Sequence, residues 1–381
     1  MGFGEADSRR RRRVNHVHTI RYEGLTILED LLWLAATFAL SAALTWAALR
    51  YARRRNLVDI PGQRRSHSTP TPRGGGIGLC VASIVALLAT GLFLDGVSLQ
   101  LRMALALALV AAVGWLDDHR PLPILARLIP QFIAAIIFLW PVIDAVWVQR
   151  VDQGPLFALH AYEWLAAATV VCVWSINLHN FMDGIDGILA SQALFVFAVL
   201  AWLCTREENI PHGLQIALWA AAVAAFLPFN FPRARIFMGD VGSGTLGLMI
   251  FIASAWQFSG FRSAHVSAII VSSAFLTDAT CTLLSRMVRG KQWYRPHREH
   301  LYQAMVRTGM SHAAVVAWYA AWNILIVLPI IVALNGEWVT LEPSAQWIFA
   351  SCFYAVAIVV WICGKRWCLY KVKKAAVVAH A

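Results

Sequence analysis

The sequence predicts an all-α protein that crosses a membrane about eleven times and carries its active site in the loops of one side. Three observations predict this. Hydrophobic residues fill 59% of the 381 positions and charged residues 14%, with a mean hydropathy of +0.61, a polytopic membrane composition rather than that of soluble domains. Windows long and apolar enough to cross roughly 30 Å of hydrocarbon recur along the chain. Lysines and arginines gather on alternate connections between them. The net charge of +11 therefore reads as membrane orientation and contact with membrane lipids; nucleic acid is not an expected partner.

Taken in order, residues 1–27 form a basic arm with Arg9 to Arg13 and no apolar core, neither signal peptide nor span, and are expected to lack fixed structure. A membrane domain follows over 28–363. Its apolar windows lie at 29–49, 76–94, 99–116, 124–141, 162–178, 188–204, 213–229, 244–259, 265–285, 313–334 and 344–363, giving ten or eleven spans. A basic tail, 364–381, is expected in the cytoplasm. The seven cysteines include no C-x-x-C pair and read as small buried hydrophobes. Many of the 17 tryptophans suit helix ends at the membrane interface.

With eleven spans, one set of connections holds 22 lysines and arginines and the other only Arg102, Arg150, Arg206 and Arg262. The positive-inside rule puts the first set in the cytoplasm. The arginines of the N-terminal arm then face outward, which is the one conflict with the rule. The cytoplasmic set also carries nearly every unusual polar residue, and only Asp278 lies well inside an apolar window. A transporter is expected to place ionisable groups near the midplane instead.

The first such loop reads VDIPGQRRSHSTPTPRGGG, with Asp59, Arg64, Arg65, His67 and Arg73 ahead of three glycines. A glycine-rich turn entering a helix can offer N–H groups to phosphate, although a basic loop beside a span, taken alone, more often touches lipid headgroups. The third span ends at Asp117 and Asp118, which point about 100° apart on a helix, so one can face a site while the other caps or pairs. The stretch NLHNFMDGIDGIL, 177–189, supplies Asn177, Asn180, Asp183 and Asp186. If it is helical, both aspartates share a face; read alone, it is equally a polar turn.

Beyond the seventh span, FNFPRARIFMGDVGSG sets Asp240 between glycines, a place for magnesium held by oxygen ligands and water, with Phe237 as a face for a base or simply an interfacial aromatic. The last loop gathers Arg295, His297, Arg298 and His300, where flanking arginines favour an anion over a metal. Carboxylates without sulfur ligands favour magnesium over zinc. Magnesium and arginines together suit phosphoryl transfer, which positioning and charge neutralisation dominate.

As an ordered set over about 56–312, these motifs resemble the polyprenyl-phosphate N-acetylhexosamine-1-phosphate transferases, the MraY- and WecA-type enzymes. The resemblance implies a fold of ten or eleven membrane helices in the bacterial inner membrane, with the site facing the cytoplasm. It implies transfer of a sugar 1-phosphate from a UDP-N-acetyl sugar to undecaprenyl phosphate with release of UMP, and it leaves a homodimer open. Asp117, Asp118 and Asp240 then match catalytic positions. Asp240, Asp183 and Asn180 match the ligands of Mg2+, for which Mn2+ can substitute. Arg64, Arg65, His67, Asn177, Asn180, Asp183, Asp186, Phe237, His297, Arg298 and His300 match substrate-binding positions. Tyr302 and Gln303 stand where relatives carry further histidines, which looks like the WbpL-type branch that initiates O-antigen on 6-deoxy-N-acetylhexosamines. The rival readings are a transporter or lipid flippase, and a CDP-alcohol phosphotransferase, whose DG-xx-AR signature is missing here.

Overall fold

A computed structural model describes residues 27–60, 69–93, 97–149, 155–206, 209–259, 264–292, 294, 297–336 and 341–380. The basic arm falls outside these, as do Arg64, Arg65, His67 and Arg295. The apolar windows are helical, and the described residues form fourteen α-helices. These are α1 (Ile27–Arg54), α2 (Ile77–Phe93), α3 (Val97–His119), α4 (Ile124–Gln149), α5 (Pro155–Met182), α6 (Ile188–Arg206), α7 (Ile210–Asn230), α8 (Gly239–Trp256), α9 (Ala264–Ile270), α10 (Ser273–Val288), α11 (Leu301–Arg307), α12 (His312–Trp322), α13 (Leu328–Asn335) and α14 (Pro343–His380).

Among the described residues, eight stretches are long and apolar enough to span, or nine with the α9–α10 pair, which bends by 55° at Val271–Ser272. A π-helical turn, Asn323–Val327, makes α12 and α13 one such stretch. Of the eleven expected windows, two fall short of that measure among the described residues: α2 is 17 residues long, and α8 carries four glycines among its 18 residues. The chain is a multi-pass membrane protein. Leu105, Val170, Leu325 and Val359 are each more than half exposed on the outside of the bundle, where hydrocarbon rather than water is their natural solvent.

Local chemistry sets several helix ends. Glu29 and Asp30 open α1 and Arg53 and Arg54 close it, each charge opposing the helix dipole at its end. Pro211 lies in the first turn of α7, where its missing N–H costs nothing. The last helix does not stop at 363. It runs on to His380, so the expected tail is helical beyond the apolar window.

Helix α8 is the centre of the bundle. It packs chiefly against α3 and α5, and also touches α2, α6 and α7; its residues 241–250 are all buried. One end of α8 therefore meets the ends of α3 and α5, and the loops gather there. The pair β1 (Val58–Asp59) and β2 (Thr71–Pro72) is antiparallel, Val58 opposite Pro72 and Asp59 opposite Thr71. From β2 the backbone runs on against 237–238, with Phe237 N–H donating to Pro72 O and Gly75 and Gly76 donating to Phe237 O and Met238 O at 2.8–2.9 Å.

Candidate active site

Asp117 and Asp118 end α3, and the structure separates their tasks. Both oxygens of Asp118 point at the start of α8, accepting the N–H groups of Asp240 and Val241 at 3.1 Å each. Two amides that no helical carbonyl can satisfy are met in this way, and the negative charge lies at the positive end of the helix. Gly239 makes the approach possible: its φ is +76°, and a Cβ there would stand 2.4 Å from Asp118 Oδ2. Asp117 turns the other way, accepting from Leu122 N–H and from Arg127 Nη1 at 3.3 Å.

Arg127 reaches Asp240 Oδ2 as well, at 3.9 Å. The other oxygen of Asp240 accepts Asn180 Nδ2 at 2.8 Å, and the same amide reaches Ser243 Oγ at 2.9 Å. Burial, a side-chain hydrogen bond with Asp117 and the charge of Asp118 hold the Asp240 carboxyl well above the usual carboxylate range, although 37% of its side-chain surface still opens into the cleft.

Asp183 and Asp186 do not share a helix face. Helix α5 ends at Met182 and α6 begins at Ile188, so both aspartates lie in the connecting turn and diverge. Asp183 lines the cleft; burial first, then the charges of Asp118 and Asp186, push its pKa up to about 7. Asp186 pairs instead with His312 Nδ1 at 3.3 Å. Asn230 ties this turn to the next loop, accepting Gly187 N–H at 2.8 Å and donating to Ile236 O at 3.0 Å.

The cleft enclosed by these groups holds about 280 Å³ and is lined by Asp59, Arg73, Asp118, Asn180, Asp183, Gly184, Ile185, Asn230, Phe237, Met238, Gly239, Asp240, Ser243 and Gln303. Phe237 thus forms part of its wall. Arg73 brings a cation whose Nε is buried without a hydrogen bond among the described residues. The glycines that follow Arg73 do not cradle phosphate through 75 and 76, because those two N–H groups are already spent on Phe237 O and Met238 O.

Other expected binding residues sit away from the cleft. Asn177 bridges helices, donating to Gln131 Oε1 at 2.6 Å and Val173 O at 2.8 Å. His300 is 2% exposed and stacks between His297 and Tyr302. His297 and Arg298 precede α11 but do not line the cavity, whereas Gln303 does. Burial, His300 and Arg286 hold the His297 ring down to about 4, so it is neutral near pH 7. Beside it, Glu299 receives Arg289 and Lys291 at 2.8 and 3.0 Å, and also Arg286.

Sequence reasoning missed Arg127, Ser243 and Asn230. A lone arginine one turn inside an apolar helix was the available signal for Arg127. No pattern marks the other two.

Among the described residues no group of three or more His, Cys, Asp or Glu closes a metal site alone. Asp183, Asp240 and Ser243 line the cleft, oxygen-bearing side chains without sulfur or imidazole, a set whose chemistry suits a hard cation that shares its ligands with water and substrate phosphate. The amide of Asn180 faces Asp240 with its nitrogen and so acts here as a donor to that carboxylate. The buried acids and arginine among the described residues are Asp117, Asp118, Asp278 and Arg286; only Asp118 of these lines the cleft.

A family model described as glycosyl transferase family 4 matches residues 100–257, a stretch that includes Asp117, Asp118, Asp183 and Asp240. The chain is similar to an undecaprenyl-phosphate alpha-N-acetylglucosaminyl 1-phosphate transferase of Yersinia pestis, 26% identical over 357 residues that cover 90% of this chain and 92% of the relative. It is similar to a decaprenyl-phosphate N-acetylglucosaminephosphotransferase of Mycolicibacterium smegmatis, 29% identical over 74% of this chain and 77% of the relative. The undecaprenyl-phosphate alpha-N-acetylglucosaminyl 1-phosphate transferase of Escherichia coli K12 is 25% identical over 75% of this chain and 78% of its own length.

Proposed function

We propose that this chain is a member of glycosyl transferase family 4, whose model matches residues 100–257, and that it transfers an N-acetylhexosamine 1-phosphate, or its 6-deoxy counterpart, from a UDP-sugar to a polyprenyl phosphate such as undecaprenyl phosphate. One observation carries the proposal: Asp117, Asp118, Asp183 and Asp240, from three separate stretches of chain, meet at one end of a membrane helix bundle beside Arg73 and Arg127.

An oxygen of the lipid phosphate attacks the sugar-bearing phosphorus of the donor. The bond from that phosphorus to the bridging oxygen breaks, and UMP leaves with its electron pair. The nucleophile needs only to be ionised, and phosphate monoesters lose their second proton at a pKa of ~6. Direct attack therefore needs no covalent enzyme intermediate.

Asp118 is committed to the start of α8, so its part is to fix Asp240. Asp117 and Arg127 stand where α3 ends and α4 begins, a place that suits the lipid phosphate. Phe237 offers a ring to uracil, and Arg73 meets donor phosphate from the wall beside Asp59. Asp240 and Asp183 would hold Mg2+, with Asn180 orienting the Asp240 carboxylate through its amide N–H; the ion when bound neutralises the phosphate charge and stabilises the leaving group. Arg64, Arg65 and His67 belong to the same loop as Arg73 and are proposed to contact the substrates from there.

The lysine- and arginine-rich loops at this end support a site on the cytoplasmic face of an inner membrane. Tyr302 and Gln303, in place of histidines, support a 6-deoxy donor and a role in starting O-antigen or another envelope glycan.

The test is isotope exchange between UMP and UDP-N-acetylhexosamines with purified protein. Exchange is expected only with polyprenyl phosphate and magnesium present together. Exchange that survives chelation removes the metal from the reading, and its absence with every donor in a panel of UDP-sugars removes the transferase itself.

A further inference from the structure

Asp278 lies in the middle of α10, 1% exposed, and outside the cleft. Its two oxygens nevertheless receive five hydrogen bonds from four helices. Oδ1 accepts Leu301 N–H at 2.7 Å, the Trp361 indole N–H at 2.9 Å and the Thr282 hydroxyl at 3.2 Å. Oδ2 accepts the Tyr319 hydroxyl at 2.7 Å and Tyr302 N–H at 3.3 Å. Amides and an indole can only donate, so a carboxylate suits this set and an amide side chain does not. A carboxylate this deep is tolerated because its lone pairs are filled.

What it holds is the start of α11, and α11 reaches the cleft. Tyr302 is fully buried and donates through its hydroxyl to Phe181 O at 3.0 Å. Its hydroxyl also presses on the Asp183–Gly184 turn, where a Cβ on Gly184 would stand 2.1 Å from the Tyr302 oxygen. Gln303, the next residue, lines the cleft beside Asp183 and Gly184. Its Oε1 is held by His300 N–H at 3.3 Å.

We propose that Asp278 is a positioning residue for the donor half of the site: by holding the Leu301 and Tyr302 amides it sets α11 so that Tyr302 braces the Asp183 turn and Gln303 completes the cleft wall. The proposal deepens the transferase reading and rests on it. It ties α12 and α14, through Tyr319 and Trp361, to the geometry of a cleft neither helix lines. Asp117 and Arg127 are not attached to α11, so the lipid half of the site is outside its reach.

Asp278→Asn tests it, because the amide turns N–H groups toward donors that need an acceptor. The variant is expected to raise KM for the UDP-sugar at least tenfold, to leave KM for polyprenyl phosphate within twofold, and to speed amide exchange at Leu301 and Tyr302, with an unchanged size-exclusion profile. Unaltered kinetics, or a lower kcat and melting temperature with both KM values unchanged, would overturn the proposal. Where Asp278→Asn does not fold, Tyr319→Phe and Trp361→Phe each delete one donor and leave the carboxylate. Each is expected to raise donor KM two- to fivefold, and an unchanged donor KM in both overturns the proposal. A wild-type protein inactive on all UDP-sugars sinks the transferase reading instead. In that case unaltered amide exchange in Asp278→Asn still overturns the anchor.

Discussion

The side chain of Asp118 accepts the backbone N–H of Asp240 at 3.1 Å, across 122 positions of sequence, so one acid of the site is fixed by another that does not itself need to touch substrate. Asp118→Ala strips the cap from α8 and leaves two amides unmet. It is expected to cost on the order of 2 kcal/mol, as for hydrogen bonds to a charged group, and to lower turnover at least a hundredfold. Thermal unfolding in detergent and kcat check the two effects together; a stable variant with normal turnover refutes the capping role.

Asp240→Asn keeps the shape of the side chain and removes one of several crowded negative charges. Turnover is expected to vanish while the melting temperature holds or rises slightly, since the Asp240 carboxyl is held above its usual range by burial, Asp117 and Asp118. Near-normal activity would take Asp240 out of the chemistry.

Asp183 gives the site a pH dependence. Its pKa is raised to about 7, so the folded protein binds a proton there that the unfolded chain releases near ~4. Stability from this group is full below that lower value and is lost as pH rises toward 7. Metal binding needs the ionised form and runs the other way. The magnesium concentration for half-maximal activity is expected to rise as pH falls below 7, by about tenfold per pH unit for each competing proton, and to rise less steeply in Asp183→Asn, where the raised Asp240 carboxyl still competes. A requirement for magnesium that stays flat from pH 8 to 6 in the wild type contradicts it.

Gly184 and Tyr302 make a paired test of contact. A Cβ on residue 184 would lie 2.1 Å from the Tyr302 hydroxyl oxygen and 2.9 Å from the ring carbon that bears it. Gly184→Ala should therefore cut activity at least tenfold, and adding Tyr302→Phe, which deletes that oxygen, should restore part of it. Additive losses in the double variant speak against the contact.

Arg127 stands 3.3 Å from Asp117 and 3.9 Å from Asp240. Arg127→Ala is expected to lower turnover ten- to a hundredfold, and Arg127→Lys to recover only part, because a point charge cannot face two carboxylates as a planar guanidinium does. Full recovery with lysine would mean that charge alone matters.

Much of the architecture was legible in the sequence because a bilayer imposes a simple rule: backbone polar groups must be satisfied within the segment, so apolar stretches become helices. Windows such as 188–204 and 313–334 could be placed from composition alone. The windows at 76–94 and 244–259 stand on the same grounds; there α2 is short and α8 glycine-rich, and only the packing shows that α8 forms the bundle's centre. The break at Val271–Ser272 carries no proline to announce it.

The identity of the acids was written in the sequence, and their division of labour was not. Composition, loop charge and the DD, DGIDG and GD motifs sufficed to point to a membrane phosphotransferase and to Asp117, Asp118, Asp183 and Asp240. Only the tertiary structure decided that Asp118 caps α8, that Asp183 enters the cleft while Asp186 turns to His312, and that His300 packs behind Tyr302. Which way a side chain points at the end of a helix depends on what lies opposite it. For these residues, that is a helix or loop tens of positions or more away in sequence, brought near only when the bundle has closed.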